Sequence, residues 1–419
     1  MIDRNENRPG YKKTKVGWIP EEWETANLGN VADVLFSNVD KKTKSDENHV
    51  LLCNYMDVYY KKYITSAIDF MQATASNNEI TRFGLRRGDV IITKDSETQN
   101  DIAVSAIVCE EIPNLICGYH LAIIRAKDYV LFSDYLNKLF DLHTIRHYFA
   151  TLANGVTRFG LSFNAVNNAL IPLPPLTEQK KIAEVLSTWD EAIEQTRRLI
   201  DAKERRKKAL MQQIFTEEKV DKQYLGKRIV MAMGELIEPI ARPVSKPKGA
   251  YRSIGIRSHG KGTFRKIVEQ PEKVMMDTLY RVESDDLILN ITFAWEGAIA
   301  IVSERDAGGF VSHRFPTYRF KKGRANIEYF RQVILTRRFV WDLGLISPGG
   351  AGRNRVLSKK DFLNLRVNVP TYEKQEVIGK ALTTVDDEID LLRERLNALE
   401  KQKRGLMQKL LTGGIRVKT

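Results

Sequence analysis

The chain has 419 residues, of which 28% are charged, and a formal net charge of +13 at pH 7. This length exceeds the size at which one hydrophobic core usually stops growing, so we expect two domains. Three cysteines without a C-x-x-C pair fit neither a disulfide framework nor a zinc site, and no apolar run approaches the roughly 18 residues of a membrane span. We therefore expect a cytoplasmic protein that does not contact a membrane.

An N-terminal segment, residues 1–25, precedes a first globular domain that we place at residues 26–176. Short apolar and β-branched runs lie within this domain at Val90–Ile92, Ile102–Val108 and Leu121–Ile124, with Gly, Asn and Asp between them. Such runs predict an α+β domain with a substantial sheet.

A glycine-bearing loop lies just before Leu161-Ser162, and a similar loop lies just before the matching Leu357-Ser358. The first runs from Asn154 to Gly160 and the second from Pro348 to Arg355, and both contain arginine. Loops of this composition suit contacts with DNA phosphates or base edges, although a tight turn that needs glycine only for a positive φ is the alternative. The candidate DNA contacts in these loops are Asn154, Thr157, Arg158, Arg353, Asn354 and Arg355, and Lys94 is a further candidate elsewhere in the first domain.

A first helical spacer is predicted at residues 177–216, after prolines that forbid an earlier start. A short helix should carry Ile182, Val185 and Leu186 on one face and break near Ser187 and Thr188. Thr188 then precedes a carboxylate by three residues, the arrangement of a capping box, so we expect a new helix to begin there.

A linker at 217–225 leads to a second globular domain at residues 226–370, which holds 26 Lys and Arg against 14 Asp and Glu. Residues 1–176, by contrast, hold 19 basic against 21 acidic residues. The excess favours a phosphate-facing surface, and the alternative is a merely well-solvated one.

The segment Gly255–Gly262 almost matches a nucleotide-binding phosphate loop. It fails because Gly262 replaces the hydroxyl residue that would ligate magnesium, and because Thr263 onward looks extended rather than helical. We interpret the segment as a flexible basic loop in which Arg257, His259 and Lys261 contact DNA, with an ordinary surface turn as the alternative.

The second helical spacer and a C-terminal tail occupy residues 371–419 and complete an internal repeat. Residues 161–216 return without a gap as residues 357–412, and Asp89–Ile92 resembles Asp286–Leu289. Between such landmarks the two halves hardly agree, which indicates a shared framework with different ligands. The fold class that follows is α+β, with two similar globular domains of mixed sheets separated by two long antiparallel coiled-coil helices in a pseudo-twofold repeat.

Apolar residues at alternating three- and four-residue steps form a seam on each spacer that requires a partner helix. The basic cluster Lys203–Lys208 on the first spacer favours a solvated face or a subunit contact over a DNA-binding stripe. The residues that we assign to helix packing or partner docking are Gln179, Ile182, Leu186, Ile193, Ile200, Leu210, Ile378, Leu382, Ile389, Leu396, Leu399 and Leu406.

No catalytic set accompanies these features. His120 and His313 occur at similar positions beside apolar runs, but neither has a second ligand at metal spacing, which is typical of structural histidines. The sequence also lacks a nucleophile elbow, an H-E-x-x-H motif and the glycine-rich loop that an adenosyl cofactor needs. A self-sufficient nuclease or methyltransferase and a pure coiled-coil scaffold remain the rival hypotheses.

The chain resembles the DNA-specificity subunits of type I restriction-modification systems along its whole length. The resemblance rests on Gly10–Thr14, Gly17–Trp23, Leu28–Val31, Pro172–Gln179 and Leu410–Val417. The second repeat departs from the pattern, with Pro370-Thr371-Tyr372-Glu373-Lys374-Gln375 in place of P-P-L-x-E-Q.

This resemblance implies two target-recognition domains that each recognise half of a split site on double-stranded DNA. It further implies that the spacers dock methyltransferase subunits, two of them, that use S-adenosylmethionine. Two motor-nuclease subunits that use ATP and magnesium would complete the enzyme. The chain itself would bind no cofactor or metal and would catalyse nothing.

Overall fold

The computed structural model describes residues 8–216, 228–349 and 355–418, so the predicted linker at 217–225 lies outside the described residues. The chain divides into unit 1, formed by residues 1–196 with 395–419, and unit 2, formed by residues 197–394. Each unit contains one half of each of two long helices, an arrangement that the linear domain boundaries did not include. Those boundaries stay predictions.

Unit 1 is built on a five-stranded mixed sheet. Its strands lie in the order Ala32–Phe36, Leu121–Ala126, Val90–Thr93, Ser105–Val108 and Tyr63–Ile64, and only the last pair is parallel. Residues Val90 to Thr93 are all buried, because Ile91 faces one apolar cluster and Val90 and Ile92 face another. This central strand is therefore covered on both faces, which explains its unbroken apolar sequence.

Smaller sheets and short helices complete unit 1. The strands are Leu115–Cys117 with Asn48–Cys53 and Met71–Ala75, Tyr11–Thr14 with Gly17–Pro20, Glu24–Asn27 with Leu170–Leu173, and Asp95–Ser96 with Phe159–Gly160. The helices are Leu28–Val31, Tyr55–Tyr60, Asn77–Phe83, Ser133–Leu139, His143–Leu152 and Phe163–Asn167, with a 3₁₀ turn at Gln99–Asp101.

Unit 2 repeats the central part of this architecture. Its four-stranded sheet has the order Ile237–Ile240, Thr317–Phe320, Leu287–Leu289 and Ile299–Ile301, which reproduces the first four strands of unit 1. A five-stranded sheet contains Pro243–Ser245, Thr278–Arg281, Phe310–Val311, Tyr251–Ile256 and Thr263–Val268, and Ile229–Ala232 pairs with Arg366–Val369. The helices are Met233–Leu236, Ile327–Val333, Arg337–Leu345 and Lys359–Asn364, with 3₁₀ turns at Pro271–Lys273, Ala294–Glu296 and Glu304–Asp306.

The repeated aspartates before the central strands have the same role in both units. Asp89 is buried and accepts two hydrogen bonds of 2.7 Å from Arg125. Asp286 is likewise buried and accepts bonds of 2.6 and 3.1 Å from Arg242. Because the arginines come from different places in the sequence, only the aspartate side of each pair was visible as a repeat.

The two long helices, Leu176–Thr216 and Tyr372–Leu411, are continuous, so the predicted break near Ser187 and Thr188 is wrong. The Thr188 hydroxyl donates to the Glu184 carbonyl at 3.1 Å, and Thr384 donates to Lys380 at 2.9 Å. Each threonine thus bonds to the preceding turn instead of capping a new helix. Neither these helices nor any other in the described part of the chain has the length and apolarity of a membrane span.

The helix halves pack antiparallel within unit 2, as the seams predicted. Lys203 pairs with Glu388, Glu204 with Arg393 and Lys207 with Asp386. From Lys203 to Lys207 the residue number in the first helix rises, while that of the partner in the second helix decreases from Glu388 to Asp386, as antiparallel packing requires. The pair of Glu204 with Arg393 does not follow this order. The basic cluster therefore contributes to helix–helix contact.

The C-terminal tail is fixed to the start of the first long helix within unit 1. Arg416 donates to buried Glu178 at 2.7 and 3.0 Å and to Glu22 at 2.9 Å. The Trp23 indole N–H donates to the same Glu178 carboxylate at 3.0 Å. One buried carboxylate thus connects the N-terminal segment, the helix and the tail.

Candidate nucleic-acid interface

The loop from Asn154 to Gly160 in unit 1 is a closed, exposed turn. The backbone N–H groups of its two end residues donate to each other's carbonyls at 3.0 and 2.9 Å. Gly155 has φ +146°, and a Cβ there would lie 1.8 Å from the Arg158 carbonyl oxygen, so this position requires glycine. The side chains of Asn154, Thr157 and Arg158 are exposed, which leaves them available to DNA.

Lys94 lies directly beside this loop. Its carbonyl accepts from the Leu161 N–H at 2.8 Å, and its own N–H donates to the His120 carbonyl at 3.0 Å. Asp95 follows, with its carboxylate 2.8 Å from Nδ1 of His120 and 3.7 Å from Nζ of Lys94. The structure therefore brings Lys94, His120 and the loop together around a carboxylate that sequence reasoning missed.

A tyrosine cluster flanks the same part of unit 1. Tyr55 and Tyr59 stack with their ring centroids 5.4 Å apart, and Tyr60 is 67% exposed. Tyr59 donates to Asp101, and this hydrogen bond raises the pKa of Tyr59 to about 12. The Tyr55 side chain bonds to Ser96, the neighbour of Asp95, so aromatic and directional polar groups share this surface. A surface of aromatic and directional polar groups agrees with the near-neutral charge of residues 1–176.

In unit 2 the glycine-rich segment is the turn of a β-hairpin. Strands Tyr251–Ile256 and Thr263–Val268 pair antiparallel across it, which confirms that Thr263 begins an extended segment. Arg257, His259 and Lys261 are exposed on the turn. The Arg257 guanidinium donates to the Thr263 carbonyl at 2.7 Å and lies 5.2 Å from the centre of the Phe264 ring.

Arg355 is the described member of the second loop's candidates, since Arg353 and Asn354 lie outside the described residues. Its guanidinium carbon lies 5.4 Å from the centre of the Trp295 ring. Arg355 and His259 line the same cavity of about 720 Å³, together with Trp295, Glu296, Arg337 and Trp341 among others, whereas Arg257 and Lys261 do not line it. The sequence did not predict that Trp295, Glu296, Arg337 and Trp341 line this cavity, because only the tertiary fold brings them together.

The loops enter the two frameworks through the same backbone contact. Leu161 donates to the Lys94 carbonyl in unit 1, and Leu357 donates to the Ile291 carbonyl in unit 2, each at 2.8 Å. The serine after each leucine caps a short helix by accepting from the backbone three residues later. The frameworks are thus alike at this point, while Lys94 in one unit is matched by an isoleucine in the other.

The glutamine that recurs in each spacer is an internal anchor. Gln179 accepts from the Phe132 N–H and donates to the Val130 and Pro174 carbonyls, each at 2.9 Å. Gln375 makes the equivalent bonds to Asn326, Arg324 and Pro370 at 2.9 to 3.3 Å. Both glutamines are almost fully buried, so their amides hold the helices to their own units.

The predicted apolar seam packs within the chain. In unit 1, Ile182 and Leu186 join the core that contains Leu406 and Leu410, and in unit 2, Ile378 and Leu382 join the core that contains Leu210. Ile193, Ile200 and Ile389 are buried, and Leu396 and Leu399 are half-buried. Partner docking by these residues stays a prediction.

Two ion pairs on the long helices follow the internal repeat. Asp190 pairs with Lys403 in unit 1, and Asp386 pairs with Lys207 in unit 2. Each aspartate thus meets the lysine of the other repeat at the offset of 196 residues that separates the repeats. Asp190 also accepts from Lys138 at 2.8 Å, where the second repeat has Gln332 bonded to Asp386 at 2.9 Å.

Among the described residues, no group of three or more His, Cys, Asp or Glu side chains is placed to hold a metal ion. His120 is engaged with Asp95 in the arrangement described above, and His313 is exposed. His120 thus has a polar partner that its sequence surroundings did not indicate.

A family model described as the type I restriction modification DNA specificity domain matches residues 20–203 and again residues 277–401. Two specificity subunits of Methanocaldococcus jannaschii type I restriction enzymes are similar over nearly their full length. The MjaX subunit is 26% identical, covering 98% of this chain and 97% of that one, and the MjaVIII subunit is 22% identical, covering 96% and 94%.

Solved structures share the fold. The type I restriction-modification S subunit from M. genitalium has a TM-score of 0.58 and 13% identity, covering 93% of this chain and 96% of that one. The HsdS subunit from Thermoanaerobacter tengcongensis has a TM-score of 0.50 and 17% identity, covering 95% and 98%. The twofold match of the family model accords with the two similar units, and the chain belongs to the family of DNA-specificity subunits of type I restriction-modification systems.

Proposed function

We propose that this chain selects a bipartite DNA target, with unit 1 recognising one half-site and unit 2 the other. The observation that carries the proposal is a backbone contact that both units share, from Leu161 to Lys94 in unit 1 and from Leu357 to Ile291 in unit 2. Around this contact the two units present different side chains. A common framework with divergent surfaces is what two unlike half-sites require. Each surface enters a major groove, which is the groove that distinguishes all four base pairs.

The long helices fix the number of unread base pairs between the half-sites and dock two methyltransferase subunits. Leu199, Val377 and Leu391 support the docking role, because these apolar side chains are 46%, 65% and 67% exposed on the helices. S-adenosylmethionine is bound by those methyltransferase subunits, and ATP and magnesium by two motor-nuclease subunits. This chain contributes site selection and no chemistry.

Mapping methylated adenines in DNA from cells that express the chain with its methyltransferase subunits tests this proposal. We expect one motif with two specified halves and a fixed unspecified gap. The purified chain alone, given magnesium, ATP and S-adenosylmethionine, should neither cleave nor methylate DNA. A single uninterrupted motif, or activity of the chain alone, would contradict the proposal.

A further inference from the structure

The cavity of unit 2 combines aromatic, cationic and acidic side chains in one groove. Its walls include His259 and Gly260 of the hairpin turn, two residues of the 3₁₀ turn Ala294–Glu296 and one face of the helix Arg337–Leu345. The polar and aromatic side chains in it are His259, Trp295, Glu296, Arg337, Trp341 and Arg355. Glu296 is the one carboxylate among the residues that line it.

The hairpin turn is fixed against the 3₁₀ turn. The N–H of His259 donates to the Glu296 carbonyl at 2.7 Å, and the N–H of Gly260 donates to the Gly297 carbonyl at 3.1 Å. The Ser258 hydroxyl donates to the Glu296 carboxylate at 2.9 Å. Since a carboxylate has about four acceptor sites, Glu296 is held in position and keeps capacity for a further donor.

The cations of this region are preorganised by indole rings. Arg355 lies over Trp295 at 5.4 Å, and Arg338 lies over Trp341 at 5.1 Å from the ring centre. Attraction between a guanidinium and an indole face restrains the arginine side chain, so less conformational freedom is lost when it forms two parallel hydrogen bonds. Trp341 is 56% exposed, an unusual placement for an indole that only fills a core.

The carboxylate decides what kind of DNA group fits the groove. A phosphate would be repelled by Glu296, so a site for the DNA backbone alone would gain from losing it. A base pair that offers both acceptors and a donor suits the combination. Arginine bonds two acceptors of guanine, and glutamate accepts from the amino group of cytosine.

We propose that this groove recognises a G·C pair in the half-site of unit 2, with Arg355 donating to guanine O6 and N7 and Glu296 accepting from cytosine N4. The proposal rests on the proposed function, because it assumes that unit 2 contacts a major groove. It names the base pair and the two side chains that discriminate it.

Binding of randomised target DNA by the complex of the full chain with its methyltransferase subunits tests the inference. Glu296→Gln keeps an acceptor for Ser258 but replaces the carboxylate by an amide, which suits adenine. We expect the preference for G·C at one position of one half-site to fall roughly 5- to 150-fold, with a shift toward adenine, and the other half-site to be unchanged.

Two further variants separate base recognition from charge and folding. Arg355→Lys retains the positive charge without the bidentate geometry and should lower the same preference while total DNA binding persists. Glu304→Gln removes a charge from an exposed position of unit 2 that does not line the groove, and should leave every base preference unchanged.

Unchanged base preferences in Glu296→Gln and Arg355→Lys would overturn the inference, as would a target whose unit 2 half-site contains no G·C pair. Loss of methyltransferase binding instead of base preference would also overturn it, because the groove would then be a protein contact. In each of these cases a bipartite target would still be recognised by the unmodified complex. If the proposed function itself were wrong, the unmodified complex would select no split sequence, and this result distinguishes the two failures.

Discussion

Asp190→Ala should lower the free energy of unfolding of the chain by about 3 to 5 kcal/mol at pH 7, the cost of leaving buried charges without their carboxylate. The Asp190 carboxylate bonds to Lys138 and Lys403, and the side chains of these two lysines are only 3% and 9% exposed. Both ammonium groups would stay buried after the substitution. Urea unfolding followed by circular dichroism measures the loss.

The second repeat supplies a matched comparison. Asp386 is 37% exposed at its side chain, and its partner Lys207 is 16% exposed, so water screens this pair more. We expect Asp386→Ala to cost about 1 kcal/mol and exposed Asp387→Ala almost nothing. Equal losses at positions 190 and 386 would show that burial of the lysines does not determine the effect.

Acid should weaken the ion pairs that Asp190 forms with Lys138 and Lys403. Burial alone would raise the pKa of Asp190, but Lys138, Lys62 and Lys403 outweigh it and hold the pKa at about 2, below its ordinary value of 3.8. A carboxylate with a lowered folded-state pKa stabilises the fold fully above its unfolded pKa, and this contribution is lost as the pH falls from about 4 toward 2. Asp190→Asn should therefore flatten the pH dependence of stability in that window.

The two units should differ in how they respond to salt. Arg257→Ala with Lys261→Ala in unit 2 should reduce the slope of log affinity against log salt by about 2, because each lost phosphate contact removes about 0.9. Lys94→Ala with Arg158→Ala in unit 1 should reduce it by about 1. The difference arises because Lys94 is half-buried and lies 3.7 Å from the Asp95 carboxylate, which already compensates its charge.

Titrating target DNA with the full complex at several potassium chloride concentrations gives these slopes. Both double variants remove two positive charges, so each serves as the control for the other. Equal changes in slope would contradict a division in which residues 226–370, with 26 basic and 14 acidic residues, supply most phosphate contacts. A larger change in unit 1 would reverse it.

The internal repeat made the framework predictable. Matching Gln179 to Gln375 located both long helices, and the apolar runs near Val90 and Leu121 marked strands that the sheet contains. The predicted helix break failed because a threonine three residues before a carboxylate also fits a helix interior. There the Thr188 hydroxyl bonds to the carbonyl of Glu184, four residues earlier.

The candidate interface was only partly predictable. The loop at residues 154–160 and the hairpin turn were visible in the composition, because Gly155, Gly260 and Gly262 have backbone angles that other residues rarely adopt. Asp95, Trp295 and Trp341 gave no local signal, since their significance depends on neighbours that are distant in sequence. Trp295 meets Arg355 from 60 positions away, and no periodicity indicates such a contact.

Matched insertions in the two long helices test the central claim most directly. Seven residues, two helical turns that preserve the apolar seam, are added after Thr196 and again after Glu394, and methylated adenines are mapped in cells expressing the variant with its methyltransferase subunits. We expect both half-site sequences to be retained and the gap between them to become longer. Methylation at the original spacing, or a change in the half-site sequences themselves, would contradict recognition by two units that these helices hold apart.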